Sequence, residues 1–158
     1  MITNLPTYLA IAEEAFAESE RLEIGARTPR EDGQPGFVIK YDPERRSFKQ
    51  SLVAIAFYGM YLDALLFIVG GERLGKAEYK KLDRKKVPYK DRLIALGITD
   101  PSLLTLAQHF RDARNDMVHD EAFEITEIQG KPVHTAQKIA REGSEIVTQI
   151  AKILQSAP

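Results

Sequence analysis

Residues 51–69 read SLVAIAFYGMYLDALLFIV and lie in the longest apolar run of the chain. Apolar side chains fall on almost every side of a helix drawn through this stretch, which is typical of a helix in the middle of a bundle or at a subunit interface. The run reaches the length of a membrane span, about 20 residues, but it carries the acid Asp63 and a mixture of Tyr and Gly. We therefore predict a core helix over about Pro43–Val69, ended by Gly70 and Gly71, and no membrane contact.

Three further stretches carry apolar residues at spacings of three and four, the period of an amphipathic helix. The clearest start signal is the sequence Thr99–Pro101, which supplies a capping residue and a first-turn proline. Together these features predict a single all-α domain over residues 1–158, an antiparallel bundle of four to five helices. Besides the central helix, the predicted helices cover about Pro6–Ala26, Pro101–His119 and Thr135–Gln155.

Two connecting segments carry weaker signals. Residues 28–36, TPREDGQPG, are rich in Pro, Gly and charge and predict a loop. The following FVIKY, residues 37–41, is short, apolar and aromatic, as an extended segment would be. The partial alternation in residues 122–133, AFEITEIQGKPV, predicts a small β-hairpin beside it.

The composition excludes several classes of protein. With no cysteine among its 158 residues, the chain has no disulfide, no thiolate zinc site and no thiol nucleophile. An apolar fraction of 44% suits a globular fold that is large enough to need no metal or disulfide for stability. The N-terminal residues lack the basic region of a signal peptide, and the glycines lack the spacing of a phosphate-binding loop. We expect a cytoplasmic protein without metal or cofactor.

The charges are distributed unevenly, although the formal net charge is only −1. Residues 75–92 contain eight Lys or Arg and three acids, a local net charge of +5, whereas residues 1–35 contain three bases and seven acids, a net charge of −4. The basic stretch is either a solvated face or a surface that follows an RNA backbone, with Tyr79 or Tyr89 stacking on bases. The RNA-binding hypothesis names Lys80, Lys81, Arg84, Lys85 and Lys86, together with Arg111 from the next helix.

Residues 109–120, HFRDARNDMVHD, place the residue types needed for RNA cleavage on one predicted helix. Arg111, Asn115 and His119 are spaced i,i+4 and form one polar stripe, and Arg114 lies about 140° from His119 around the helix. Histidine titrates near pH 7 and can take a proton from a 2′-hydroxyl, while a guanidinium binds the charge of the pentacoordinate transition state.

One histidine cannot easily be base and acid in the same step, so the leaving 5′-oxygen needs another proton donor. A symmetric dimer with two such motifs across one cleft would supply it. From spacing alone there is an alternative: a network of surface ion pairs with His119 as a helix C-cap.

The segment RNDMVH, residues 114–119, resembles the R-N-x-x-x-H signature of the HEPN superfamily, whose members are compact helical bundles and often metal-independent RNases. The motif precedes the last long helix, as it does in that family. The stretch AFYGMYLDALLFIV is similar to the family's earlier helix, in which Asp63 would match the single acid. The resemblance covers roughly residues 47–155.

The resemblance implies a metal-independent endoribonuclease that acts on RNA as a homodimer, in prokaryotic defence or with an antitoxin protein as its partner. Arg114 would stabilise the phosphorane, His119 would act as acid or base, and Asn115 and Asp63 would orient the reacting groups. The rival expectation is a non-catalytic HEPN-like module that binds a nucleotide, RNA or a protein. Glu121 stands where some toxin members carry an adenylylated tyrosine, so a nucleotidyltransferase partner is not expected.

Overall fold

The structure, a computed structural model, describes residues 4–40, 43–83, 87–119 and 131–156. Within these ranges the fold is all-α with a small hairpin, as predicted, and four long helices are joined by two short ones. In chain order the elements are α1 (Leu5–Gly25), β1 (Arg27–Pro29), β2 (Phe37–Ile39), α2 (Arg46–Arg73), α3 (Lys76–Leu82), α4 (Tyr89–Ala95), α5 (Pro101–His119) and α6 (Lys131–Ser156).

Helix α2 is the central element and packs against α1 and α6. It runs antiparallel to α1, because Ser19 near the end of α1 is bonded to Ser51 near the start of α2 (Oγ–Oγ 2.7 Å), while Tyr8 near the start of α1 lies against Phe57. The core between the long helices is filled by large apolar side chains that are fully buried, namely Ile55, Tyr58, Leu62, Leu66, Phe110, Ile146 and Ile150.

Helix α6 runs in the same direction as α2. Gln137 near its start bonds the hydroxyl of Ser47, and the carbonyl of Leu154 near its end accepts from Nη2 of Arg73 at 2.8 Å. Nη1 of the same Arg73 donates to the carbonyl of Leu96 at 3.2 Å, so the chain enters α5 beside the C-terminal end of α2. Helix α5 therefore runs back along α2, which brings its second half to the middle of the central helix.

The predicted end of the central helix is wrong. Helix α2 continues through Gly70 and Gly71 to Arg73 and begins at Arg46 rather than near Pro43. Glycine weakens a helix interior by roughly 1 kcal/mol, but the ring of Tyr79 from α3 packs where a side chain at residue 70 would stand. A local signal for a helix end is thus overridden by a packing contact between two elements.

The predicted hairpin has a different partner. Residues 37–39 are extended as expected, but they pair antiparallel with β1, with Arg27 opposite Ile39 and Thr28 opposite Val38. Most of the predicted 122–133 hairpin lies outside the described residues, and residues 131–133 belong to α6, which begins four residues before the predicted start. Pro132 fits there because the first turn of a helix requires no hydrogen bond from its nitrogen.

The start of α5 agrees with the prediction. The Leu103 N–H donates to Oδ1 of Asp100 at 2.8 Å, so the aspartate caps the first turn, and Pro101 is the first helical residue. The helix ends at His119. The basic stretch before it is divided at Pro88 into the short helices α3 and α4.

By length and composition, helix α2 could cross a membrane, and it is the one helix in the described part of the chain that meets this test. The core helix of a soluble protein meets the same test, and α2 packs on α1 and α6 here. Less than half of its most apolar window is buried, however. The exposed part of α2 includes the large apolar side chains Val53, Met60 and Phe67.

Candidate functional site

The site is built around Arg114, whose side chain lies across the middle of α2 at Gly59. A Cβ atom at residue 59 would overlap both Cδ and Nη1 of the arginine, so the missing side chain of this glycine makes the groove that holds it. One helical turn later, Oδ2 of Asp63 accepts from Nη1 of Arg114 at 2.9 Å. The arginine side chain is mostly buried, whereas that of Asp63 is 42% exposed, so the pair lies at an accessible edge.

Tyr89 at the start of α4 contacts both Asp63 and Arg114. Its hydroxyl donates to Oδ1 of Asp63 at 2.7 Å and lies 3.4 Å from Nη1 of Arg114. The backbone N–H of Tyr89 donates to Oε1 of Gln108 at 2.8 Å, which ties α4 to α5. Burial, followed by the nearby charge of Asp63, raises the pKa of Tyr89, so the phenol stays a hydrogen-bond donor at neutral pH.

Three guanidinium groups surround the Tyr89 ring, with their central carbons 5.2 to 6.0 Å from the ring centroid in Arg92, Arg111 and Arg114. Buried Arg92 donates to Oδ1 of Asp83 at 2.8 Å and lies 3.7 Å from Oδ1 of Asp63. The half-exposed carboxylate therefore faces two arginines and one phenol. A cationic, aromatic cluster of this kind is suited to hold an anionic group at its edge.

Burial by itself would lower the pKa of Arg114, but the interactions with Tyr89 and Asp63 more than offset it, and the pKa is raised. The guanidinium is thus a fixed positive charge. Asn115, the next residue, is half-buried, and its Oδ1 accepts from Nη2 of Arg114 at 3.3 Å. Three of the four predicted site residues, Asp63, Arg114 and Asn115, are in this way brought together.

His119 is the last residue of α5, and its side chain lies outside the described part of the chain. It follows Arg114 by five residues, so the two backbones are about 7.5 Å apart along the helix axis.

The predicted RNA-binding residues lie in different environments. Arg111 is buried, and its Nη1 donates to the carbonyl of Val87 at 2.6 Å, so it holds the segment before α4 in place. Lys80 and Lys81 are exposed on α3, and Lys81 pairs with Glu78 at 2.7 Å. The remaining three, Arg84, Lys85 and Lys86, lie outside the described residues.

The expectation that a tyrosine of the basic stretch stacks on bases is wrong. Tyr79 is fully buried against Gly70 and lies edge-on to Phe67, and Tyr89 is buried in the arginine cluster. Both rings are part of the buried core and attach the short helices α3 and α4 to it.

Sequence reasoning missed Gly59, Tyr89 and Arg92 as members of the site. A signal for Gly59 was present, since it precedes the single acid of the apolar helix by one turn. No comparable local signal exists for Tyr89 and Arg92, which reach Asp63 only through the packing of α4 on α5.

Among the described residues, no group of three or more histidine, aspartate and glutamate side chains is placed to hold a metal ion. Comparison of the chain with protein-family models, curated proteins and solved structures finds no match.

Proposed function

We propose that this chain is a metal-independent endoribonuclease of the HEPN type that acts as a homodimer. The observation that carries the proposal is the placement of Arg114, a charged guanidinium held by Asp63 and Asn115 at an accessible edge of the bundle. The spacing of the R-N-x-x-x-H motif adds His119 at the end of the same helix. Asp63 contacts both the guanidinium of Arg114 and the hydroxyl of Tyr89.

In the proposed reaction the RNA 2′-hydroxyl attacks the adjacent phosphorus while His119 of one copy takes its proton. Arg114 binds the negative charge that develops on the phosphorane oxygens, which a guanidinium does with two parallel donors. The bond to the 5′-oxygen then breaks, and the leaving oxygen takes a proton from His119 of the second copy. The products are a 2′,3′-cyclic phosphate and a free 5′-hydroxyl.

Asp63 has a positioning role in this scheme. Its carboxylate fixes Nη1 of Arg114, and the hydroxyl of Tyr89 fixes the carboxylate in turn. Since a guanidinium presents its donors in one plane, fixing one nitrogen sets the direction of the others. A location in the cytoplasm and an antitoxin partner belong to the same proposal and are supported by the sequence resemblance alone.

The test is RNA cleavage by the purified protein in EDTA, read out as fragments with 2′,3′-cyclic phosphate ends. Arg114→Ala and His119→Ala are each expected to abolish cleavage while the helical circular dichroism remains. His109→Ala is the matched control, because His109 lies exposed on the same helix and pairs with Glu142, away from the cluster. Cleavage that persists in both site variants would overturn the proposal. Binding of a nucleotide or RNA by the parent protein without cleavage would favour a binding module.

A further inference from the structure

The β1–β2 hairpin follows the end of α1 and exposes large apolar side chains. Phe37 is 63% exposed and Val38 is 54% exposed. Because successive residues of a strand point to opposite faces, each face of the hairpin carries one of these side chains. Each strand is only three residues long. A hairpin of two strands is marginally stable by itself, so a third strand would stabilise this one.

The hydrogen-bond pattern of the hairpin determines which backbone groups point outward. The N–H of Lys40 donates to the carbonyl of Ala26 at 2.8 Å, so the backbone groups of these two residues face each other. Hydrogen-bonded and non-hydrogen-bonded pairs alternate along an antiparallel ladder. The register therefore directs the groups of Thr28 and Val38 inward as well, and those of residues 27, 29, 37 and 39 outward.

The two outer edges of the hairpin differ in what they offer to a further strand. On the β1 edge residue 29 is a proline, which has no N–H, so a strand added there would lack one hydrogen bond. On the β2 edge Phe37 and Ile39 each present an N–H and a C=O. These two residues are about 6.8 Å apart along the strand, the repeat of a β-ladder. Only the β2 edge can thus pair completely with an added strand.

The backbone groups and the apolar side chains together specify the kind of molecule that fits this edge. An extended peptide offers donors and acceptors with the same repeat, whereas a lipid surface or a nucleic-acid base offers no such series. Apolar side chains at alternating positions of the peptide would cover Phe37 on one face and Val38 on the other.

Charge adds a preference for an acidic residue in the peptide. Arg27 and Arg30 of the hairpin are already paired, with Glu23 and Asp32 respectively. Lys40, directly after β2, is exposed and forms no salt bridge with the described residues. A carboxylate beside Lys40 would therefore complete the charges of the hairpin.

A second copy of this chain is a less suitable occupant. Strand β2 offers three residues, whereas a stable interface between two proteins takes about 20–30 residues from each side. A short extended segment has no such requirement, because main-chain hydrogen bonds provide much of its affinity.

We propose that the outer edge of β2 binds an extended, apolar segment of a partner protein as a third, antiparallel strand, with an acidic residue of that segment near Lys40. This surface is separate from the arginine site. The hairpin follows the end of α1 that lies beside the start of α2, and residues 46 and 59 are about 20 Å apart along α2. The proposal therefore does not depend on ribonuclease activity.

The test uses a displayed library of random eight-residue peptides, selected in parallel on the parent protein and on Ile39→Pro. The proline removes an outward N–H and leaves the inward pairs of the hairpin in place. Enriched peptides should alternate apolar residues, contain an acid, and bind the parent about tenfold more tightly than the variant. Failure to enrich any peptide on the parent over Ile39→Pro would overturn the proposal.

Amide hydrogen exchange locates the bound peptide. In the free protein the amides of Phe37 and Ile39 should exchange faster than those of Thr28 and Val38, which are paired. An enriched peptide should slow Phe37 and Ile39 at least tenfold. Slow exchange of these two amides in the free protein would show that the edge is already occupied, which would contradict the proposal.

Side-chain variants separate strand pairing from simple apolar contact. Phe37→Ala should weaken peptide binding, whereas Ile94→Ala should not, because Ile94 is a comparably exposed apolar residue on α4. Binding that is lost in Phe37→Ala but kept in Ile39→Pro would contradict strand addition. If Ile39→Pro abolishes the protection of Thr28 and Val38, Phe37→Pro takes its place as the edge-blocking variant. A dimer in solution that Ile39→Pro converts to a monomer would show a second copy at this edge and overturn the proposal.

Discussion

At the scale of single residues, Gly59 decides where the arginine of the motif can go. Any side chain at residue 59 would occupy the groove that Cδ and Nη1 of Arg114 now fill. The acid that binds this arginine is one turn further along, so the groove and the charge act together. This explains why an apolar core helix tolerates one carboxylate at its edge: Asp63 is paired and partly hydrated.

Gly59→Ala should displace Arg114 while leaving the helix intact. Alanine is favoured over glycine in a helix by roughly 1 kcal/mol, so lost function would come from the displaced guanidinium, and RNA cleavage should fall on the order of a hundredfold. Gly71→Ala is the control, because a Cβ there meets only Cγ of Lys76 at 3.5 Å. Equal cleavage by the two alanine variants would contradict this account of the groove.

Tyr89→Phe removes the hydroxyl that holds Asp63 and keeps the ring among the arginines. A hydrogen bond to a charged group contributes about 1.5–3 kcal/mol, so urea unfolding at neutral pH should show a loss of that order. Circular dichroism should remain unchanged. An unaltered unfolding midpoint would show that the hydroxyl does not stabilise the carboxylate.

The same variant should change the response to alkali. Burial raises the pKa of Tyr89, and also raises that of Tyr79 to about 12, whereas tyrosine in the unfolded chain ionises near pH 10. The stability that these two buried phenols contribute is therefore fully present below pH 10. It is lost as the pH rises above 10, since only the unfolded state then releases their protons. Tyr89→Phe removes one of the groups that releases a proton on unfolding. Above pH 10 the free energy of unfolding should therefore fall less steeply with pH, by about 1.4 kcal/mol per pH unit.

At the scale of elements, close packing decides where helices end and which segments pair. Gly70 lies inside α2 because the buried Tyr79 ring of α3 rests on its backbone. Gly70→Ala would push a methyl group into that ring and should destabilise the protein by about 1–3 kcal/mol. Gly71→Ala, one residue later, should be neutral or slightly stabilising. Chemical denaturation of the two variants checks the pair, and equal stabilities would contradict the packing explanation.

At the scale of the whole molecule, the proposed dimer couples stability to protein concentration. If folding and pairing are linked, a tenfold increase in concentration adds about 1.4 kcal/mol per dimer, and the thermal midpoint should rise accordingly. A midpoint independent of concentration in the parent protein would contradict the dimer at this scale.

Local patterns were sufficient for much of the architecture. The capped start of α5 and the apolar run of α2 were predictable because hydrogen bonds and side-chain periodicity within one helix determine them. The partner of β2 and the position of Tyr89 were not, since each depends on contacts with residues that sequence order does not indicate. The position of Arg111 was not predictable either. The sequence predicts a cation that binds RNA, whereas the side chain is buried and donates to the carbonyl of Val87 just before α4.

By itself the sequence determined an all-α bundle, the absence of cysteine chemistry and the spacing of the Arg114 motif, because composition and helical period are local properties. Only the tertiary structure decided that Arg114 lies across Gly59 and that Asp63 and Tyr89 hold it. These features depend on which surfaces meet when the helices pack, and shape complementarity between distant segments is not encoded in any single stretch of the chain.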